Sequence, residues 1–248
     1  MNNLSDFVYG PILSRRLGRS LGINLSPEGQ KLCSFNCVYC EYGPTTNHTL
    51  NPSADLFVKP GDILPNIERA LLKPHTLDHV TFSGKGEPTL HPDFFEIVSE
   101  VTKLVKKYKP GVKVALFSNS STLYRRDVVE AMKITDRPFL KLDAGNAEVF
   151  YKINQPTIDI NFNEMVNHLE GIQNLIIQTA FISGYPSNTL EDQIQDWIKV
   201  VKKINPQEVQ LYRIYRPAWH PNVYAYNKLE ELAKKIRDKT ELAINLFQ

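Results

Sequence analysis

Short, nearly all-apolar runs rich in β-branched residues alternate along this chain with segments of helical period, and that alternation restricts the fold more than any other feature. The runs fall at 21–25, 79–83, 113–118, 139–143, 175–182 and 208–215. An almost continuous apolar run is the mark of a parallel strand covered on both faces. From the second run onward the starts (79, 113, 139, 175, 208) lie 26 to 36 residues apart, about the length of one strand–helix–strand unit. The segments between carry core-facing stripes. In 93–108, Phe94, Ile97, Val98, Val101, Leu104, Val105 and Tyr108 recur at three- and four-residue steps, as one helix face requires. In 189–203 the stripe is Leu190, Ile194, Trp197, Ile198 and Val201; Thr189 and Asp192 suggest the start of a capping box, and Lys202 and Lys203 suit the far end of the dipole. A last helix spans 228–239. Six strands are too few to close an eight-stranded barrel. The expected fold is therefore α/β, a partial (β/α)6 barrel of parallel strands forming a single domain over 1–248, with an N-terminal extension 1–19 and a C-terminal helical segment 227–248. In such sheets the polar residues at the carboxyl ends of the strands carry the chemistry.

Charge and hydropathy narrow the function classes. Lys plus Arg number 29 and Asp plus Glu 27, a net charge of +2, which by itself does not point to a polyanionic partner. No apolar run approaches the length that spans a bilayer. The first residues, Met1 to Asp6, lack the basic and apolar regions of a signal peptide. No membrane partner is expected, and the expected location is cytoplasmic. Three cysteines, an odd number, argue against a closed disulfide framework.

All three cysteines, Cys33, Cys37 and Cys40, fall within eight residues, which random placement would produce roughly once in several hundred trials. A cubane needs one external ligand per iron, commonly four thiolates. Three thiolates leave one iron open to a small molecule that can chelate it. Other readings of the same residues stand beside this one: buried structural cysteines, a zinc site with His48 as fourth ligand, or a redox pair of Cys37 and Cys40 that leaves Cys33 unexplained. His48, His75, His79, His91 and His168 have no ligand spacing among themselves and read as surface or turn residues.

Polar residues at strand ends supply the other candidates. Gly84-Lys85-Gly86-Glu87-Pro88 follows a strand directly; its glycines let backbone approach a ligand, and its carbonyls or carboxylate can accept from an ammonium. A plain strand-ending turn is the alternative. Ser118 and Asn119 end the third strand and can meet ribose or a carboxylate, or cap a helix beginning near Leu123. Asp143 and Lys141 share a strand face, so the carboxylate can receive ribose hydroxyls, position substrate, or pair with the lysine. Tyr212, Arg213, Tyr215 and Arg216 close the sixth strand. Arg15, Arg16 and Arg19 form the most basic short run, suited to a phosphate or carboxylate of the substrate, or to a solvated patch. Trp219, His220 and Pro221 follow the last strand, in position to cover the mouth.

The Cys33-x3-Cys37-x2-Cys40 spacing, with Tyr39 just before the last cysteine, resembles the motif of the radical S-adenosylmethionine superfamily, and the resemblance extends over nearly the whole chain. Tyr9-Gly10-Pro11 and the segments 14–22, 82–92 and 140–145 resemble the subgroup related to tRNA wyosine synthetases. What the resemblance implies is a 4Fe–4S cluster on Cys33, Cys37 and Cys40 that reductively cleaves S-adenosyl-L-methionine. The resulting 5′-deoxyadenosyl radical abstracts hydrogen from a substrate, with a reductase such as flavodoxin or ferredoxin as electron donor. It implies cofactor contacts from Tyr39, Gly84, Gly86, Glu87, Ser118, Asn119, Asp143, Tyr212 and Gly184, the last in the segment 181–186 that matches the family's adenine loop. Lys85 stands where the family commonly has a second glycine. Substrate contacts would come from Arg15, Arg16, Lys141, Arg213 and Arg216. A small molecule or nucleoside-like compound is the expected substrate. tRNA is less favoured, since the archaeal wyosine enzymes carry a second cluster on further cysteines and this chain has none. A glycyl-radical activase and a non-catalytic metal-binding interaction protein are the remaining alternatives.

Overall fold

A computed structural model describes residues 7–27 and 29–247 of the chain. The expectations for Met1 to Asp6, and the outer ends of 1–19 and 227–248, lie outside the described residues. In chain order the elements are β1 (Val8–Ser14), β2 (Gly18–Ile23), β3 (Leu32–Cys33), β4 (Asn47–His48), α1 (Pro60–Leu71), β5 (His79–Phe82), α2 (Phe94–Tyr108), β6 (Lys113–Ser118), α3 (Arg126–Ile134) and β7 (Arg137–Lys141). There follow α4 (Ala147–Ile153), α5 (Phe162–Glu170), β8 (Ile176–Ala180), β9 (Ile182–Gly184), α6 (Glu191–Ile204), β10 (Glu208–Tyr212), β11 (Val223–Ala225), α7 (Leu229–Lys239) and β12 (Ile244–Phe247).

Eight strands form one curled sheet in the order β1-β2-β5-β6-β7-β8-β10-β12. The six expected strands are β2, β5, β6, β7, β8 and β10, all parallel. Two strands extend them. The stretch before β2 folds back as β1, antiparallel to it. The last helix runs on into β12, which pairs in parallel with β10.

Strand alternation sends successive side chains to opposite faces. On the outer face Ile23, Phe82 and Leu116 lie side by side, as do Leu140, Ile177 and Val209. All six are fully buried within one cluster that includes the helix stripes. At about 25 cal/mol per Å² of apolar surface removed from water, this layer supplies most of the drive to fold. On the inner face, Leu17 from the β1–β2 turn packs on Ala115, Phe139 and Ile176 and plugs the floor. Above that plug the inner face turns polar.

The start of α6 differs from the sequence expectation. The N-cap is Leu190, whose backbone N–H donates to the Gln193 side chain at 3.1 Å. Thr189 instead donates to the Ile182 carbonyl, because the segment before the helix is held against β9, where Asn188 also accepts from the Ile182 N–H. Gly145 lets α6 lie against the end of β7, since a Cβ there would stand 2.0 Å from the Trp197 nitrogen; the Trp197 indole donates to the Leu142 carbonyl. His91 is fully buried rather than a surface or turn residue. Its Nε2 donates to the Val58 carbonyl and its Nδ1 accepts from the Asp93 backbone. Among the described residues no helix is long and apolar enough to cross a membrane.

Candidate active site

The chain leaves β2 and crosses the carboxyl ends of the parallel strands as the cysteine loop. Several segments pin it there. Leu32 and Cys33 pair with Asn47 and His48, Leu32 bridges to Gly86, and the Val38 N–H donates to the Ile153 carbonyl at 2.9 Å. Trp219 does not cover the mouth; its indole donates to the Cys37 carbonyl at 2.8 Å and braces the loop. Glycine is required at 86: its φ is +136°, and a Cβ would come within 1.9 Å of the Leu32 carbonyl oxygen.

Cys33 and Cys37 are buried and Cys40 half-buried. Each buried sulfur faces hydrogen-bond donors: Cys33 those of Phe35 N–H (3.4 Å) and Asn119 Nδ2 (3.5 Å), Cys37 that of Asn154 Nδ2 (3.4 Å). Burial, helped by the Glu87 charge, raises the Cys33 pKa strongly. Burial pushes the Cys37 thiol up to about 11, although Lys141 works the other way. A bound cation acts against that rise and favours the thiolate form. Among the described residues no three His, Cys, Asp or Glu side chains stand close enough to hold one metal ion. His48 Nε2 is turned to the Ser34 carbonyl, 3.1 Å away. That arrangement disfavours mononuclear zinc, whose ligands must converge. A cubane asks instead for thiolates spread over separate irons, and the donor set fits it.

Glu87 ties the glycine segment to the end of β6. It accepts from Thr89 N–H (3.2 Å), Thr89 hydroxyl (2.6 Å) and Asn119 N–H (2.6 Å). Burial raises its pKa against these hydrogen bonds. Ser118 and Asn119 are not a helix cap, since α3 starts only at Arg126 with Arg125 as N-cap; Asn119 Nδ2 also donates to the Ser34 hydroxyl at 2.9 Å.

Below the loop, Asp143 is wholly buried. It accepts from Tyr39 hydroxyl, Asn154 Nδ2 (2.7 Å) and Ala180 N–H (2.9 Å). Lys141 Nζ stands 3.4 Å from the same carboxylate and donates to the hydroxyls of Tyr39 (2.6 Å) and Tyr212 (3.2 Å). Burial works against the Lys141 charge, but Asp143, Tyr212 and Cys37 together outweigh it and raise its pKa. Burial and the same carboxylate raise that of Tyr39. Lys141 therefore stays cationic and Tyr39 neutral.

Every expected site residue except Asp143 and Gly184 lines one cavity of about 680 Å³. Asp143 is not among the lining residues; its oxygens accept from protein donors. Gly184 sits in β9, paired with β11, where a Cβ would meet the Asn222 carbonyl; Phe181 packs on Trp197. His220 and Pro221 line a neighbouring cavity of about 610 Å³ together with Arg15, Arg213 and Arg216. Three of the other lining residues carry no expected contact role, Tyr9 among them although its segment Tyr9-Gly10-Pro11 resembles the wyosine-related subgroup. Tyr9 hydrogen-bonds Ser83 at 2.6 Å, Lys31 donates to the Gly43 carbonyl, and Gln178 accepts from Arg16 at 2.9 Å. For Gln178 the signal was present: a glutamine in the middle of the apolar run 175–182.

The sequence matches the Radical SAM superfamily over residues 28–201. It is 34% identical over 232 residues, 92% of this chain, to a Brachyspira hyodysenteriae protein described as GTPase Obg, of which it spans 33%. It is 33% identical over 223 residues to a UPF0026 protein of Synechocystis, covering 88% of this chain and 78% of that one. The solved structure of TYW1 with a lysine-pyruvate adduct bound superimposes with a TM-score of 0.62 at 16% identity, over 90% of this chain and 74% of that one, a likeness of fold. The superfamily match takes in the cysteine loop and the strands and helices that surround it, from β3 into α6, and on that ground this chain belongs to the Radical SAM superfamily.

Proposed function

We propose that the chain is a single-domain radical S-adenosylmethionine enzyme, with a 4Fe–4S cluster on Cys33, Cys37 and Cys40 and S-adenosyl-L-methionine beside it. Its substrate is a small molecule or nucleoside-like compound. The observation that carries this reading is that three thiols on one braced loop, short of a fourth, open on the same cavity as the glycine segment. When bound, these groups supply one-electron cleavage of the sulfonium to methionine and a 5′-deoxyadenosyl radical, chemistry that belongs to the cofactors. The protein's part is positional. Asn119, Asn154 and Phe35 N–H donate toward the sulfurs and so favour their anionic form. Gly84 and Gly86 offer bare backbone to a ligand. Lys141, held cationic, and the neutral Tyr39 present a fixed polar pair to whatever lies over them. The Leu17 plug and the apolar outer layer keep water from entering through the floor.

A cavity of about 680 Å³ is in the range of small-ligand sites, which favours a small substrate over tRNA. The electron would come from a reductase such as flavodoxin or ferredoxin, and the cytoplasm is the compartment proposed.

The test is anaerobic reconstitution of the cluster, addition of dithionite and S-adenosylmethionine, and quantification of 5′-deoxyadenosine beside a Cys37→Ala control. Product from the wild type alone supports the reading. A loaded, reducible cluster that gives no product, and whose spectrum ignores S-adenosylmethionine, removes it.

A further inference from the structure

In sequence the three arginines of the β1–β2 turn are indistinguishable; in the fold they part. Arg19 is exposed and paired with Asp78 at 3.5 Å. Arg15 is exposed and lies over the ring of Tyr215, itself largely in solvent. Arg16 turns inward. Its guanidinium sits over Phe117 at 4.3 Å and Tyr212 at 4.8 Å, and Nη1 donates to Gln178 Oε1 at 2.9 Å. Gln178 is buried and oriented by its own bond to the Phe139 carbonyl.

Among the described residues no carboxylate forms an ion pair with Arg16. Glu41 is paired with Arg216 at the rim. Lys141, the other cation deep on this face, is committed to Asp143. Arg16 is half-buried; a cation partly withdrawn from water without an anion carries part of the desolvation cost, and the two rings offset that only in part. The rings of Phe117 and Tyr212 lie against the guanidinium and one N–H goes to Gln178, which leaves further N–H donors for a ligand in the cavity. Guanidinium donors match a carboxylate or a phosphate.

We infer that the substrate carries a carboxylate or phosphate group and that Arg16 binds it deep in the cavity; the inference rests on the radical reading above and names its substrate class. Arg16 lies just above the Leu17 plug, against Phe117, Gln178 and Tyr212, and the Tyr212 hydroxyl leads through Lys141 to Tyr39 of the cysteine loop. Arg16 and the cysteines share one cavity, so competition with S-adenosylmethionine, not distance, separates a substrate anion from the cofactor's own carboxylate.

The test titrates the cluster-loaded protein, anaerobically and with or without S-adenosylmethionine, with inorganic phosphate, glycerol 3-phosphate, acetate and glutarate. Melting temperature reports anion binding; the spectrum of the reduced cluster reports S-adenosylmethionine binding. One class of anion is expected to stabilise the wild type, and the response identifies carboxylate or phosphate. Arg16→Gln should weaken that binding by roughly tenfold or more, the effect of losing a charged hydrogen-bond donor, with Arg16→Lys in between. Lys133→Gln, at an exposed cation of α3 outside the cavity, should change it by less than about fivefold, and S-adenosylmethionine affinity should hold in all variants. Should Arg16→Gln fail to fold, Arg16→Lys carries the comparison. Anions that compete with S-adenosylmethionine, together with an Arg16 variant that loses S-adenosylmethionine itself, would assign Arg16 to the cofactor and overturn the inference. So would a wild type that binds none of the four anions. Anion binding through Arg16 in a protein that makes no 5′-deoxyadenosine would uphold the site while removing the radical reading.

Discussion

Leu140 and Lys141 are consecutive residues of β7 and point to opposite sides of one sheet. On the side of Leu140, a row runs through Ile177, Val209 and Ile244; on the side of Lys141, the neighbouring row is Gln178, Gln210 and Asn245. A parallel sheet covered on both faces is ordinarily apolar on both. Here one row packs against helices and the other faces the curl of the sheet. The inner row does not maximise stability. The Oε1 of buried Gln210 finds no hydrogen-bond partner, and a buried acceptor left open costs free energy. The outer face holds the fold together, and the inner face presents polar side chains such as Lys141 and Gln178 to the cavity.

Breaking the polar side at its most enclosed point should have the largest effect on stability. Asp143→Ala would strip the carboxylate from Lys141, Tyr39, Asn154 and the Ala180 N–H at once, leaving a buried ammonium unpaired. A loss of about 3–5 kcal/mol is expected, measured by urea unfolding of the cluster-free protein. The double variant Asp143→Leu with Lys141→Met should recover most of that loss and make no 5′-deoxyadenosine. No recovery would mean that the pair stabilises the fold for its own sake.

Leu140→Ala tests the other side of the same strand. Removing a fully buried outer-face side chain should cost about 2–4 kcal/mol through lost burial and a residual cavity. The 5′-deoxyadenosine formed per loaded, folded molecule should stay at the wild-type value. If activity per folded molecule falls with stability, the two faces are coupled and the division between them fails. Tyr39→Phe is the smaller version on the inner face. It removes one donor to Asp143 and one acceptor for Lys141, for about 1–2 kcal/mol, with cluster content unchanged because the backbone of the loop is anchored elsewhere.

The same contrast explains what could be read in advance. The outer face makes the strands legible, because Ile23, Phe82, Leu116 and their neighbours keep each run apolar whatever the inner side chains are. β1 escaped because it is an edge strand with half-exposed residues and a register shift between Tyr9 and Ile12. β12 escaped because only Ile244 of its four residues is buried. In the cavity, residues next to backbone landmarks were legible: cysteines on the loop, glycines after a strand. The direction of a side chain was not. A strand-end aspartate reads the same whether it faces a ligand or, like Asp143, accepts from protein donors. Gly184 matched a loop pattern, yet β9 is drawn into pairing with β11, away from the cavity.

Polar groups buried away from the inner face should behave as structural partners and nothing more, and His91 tests that with the smallest effect. Its Nδ1 accepts from the Asp93 backbone while its Nε2 donates to Val58, so only the neutral ring fits. A proton on Nδ1 would meet the Asp93 N–H head on. Burial lowers the His91 pKa below its ordinary value despite the bond to Val58, which acts the other way. With the folded pKa below the unfolded one, this contribution is intact above about pH 6.5. It is lost as the pH falls from there through the folded value. Half-buried His79, its pKa also lowered by burial, shares that window. The cluster-free wild type should therefore lose urea resistance between pH 7.5 and 5.5, by no more than about 1.4 kcal/mol per pH unit for each histidine. His91→Gln keeps a donor for Val58 and cannot take up a proton, so its stability should fall more gently over the same interval. Parallel curves for the two proteins would mean that His91 does not titrate there. An altered yield of 5′-deoxyadenosine per folded His91→Gln molecule would place this histidine in the chemistry after all.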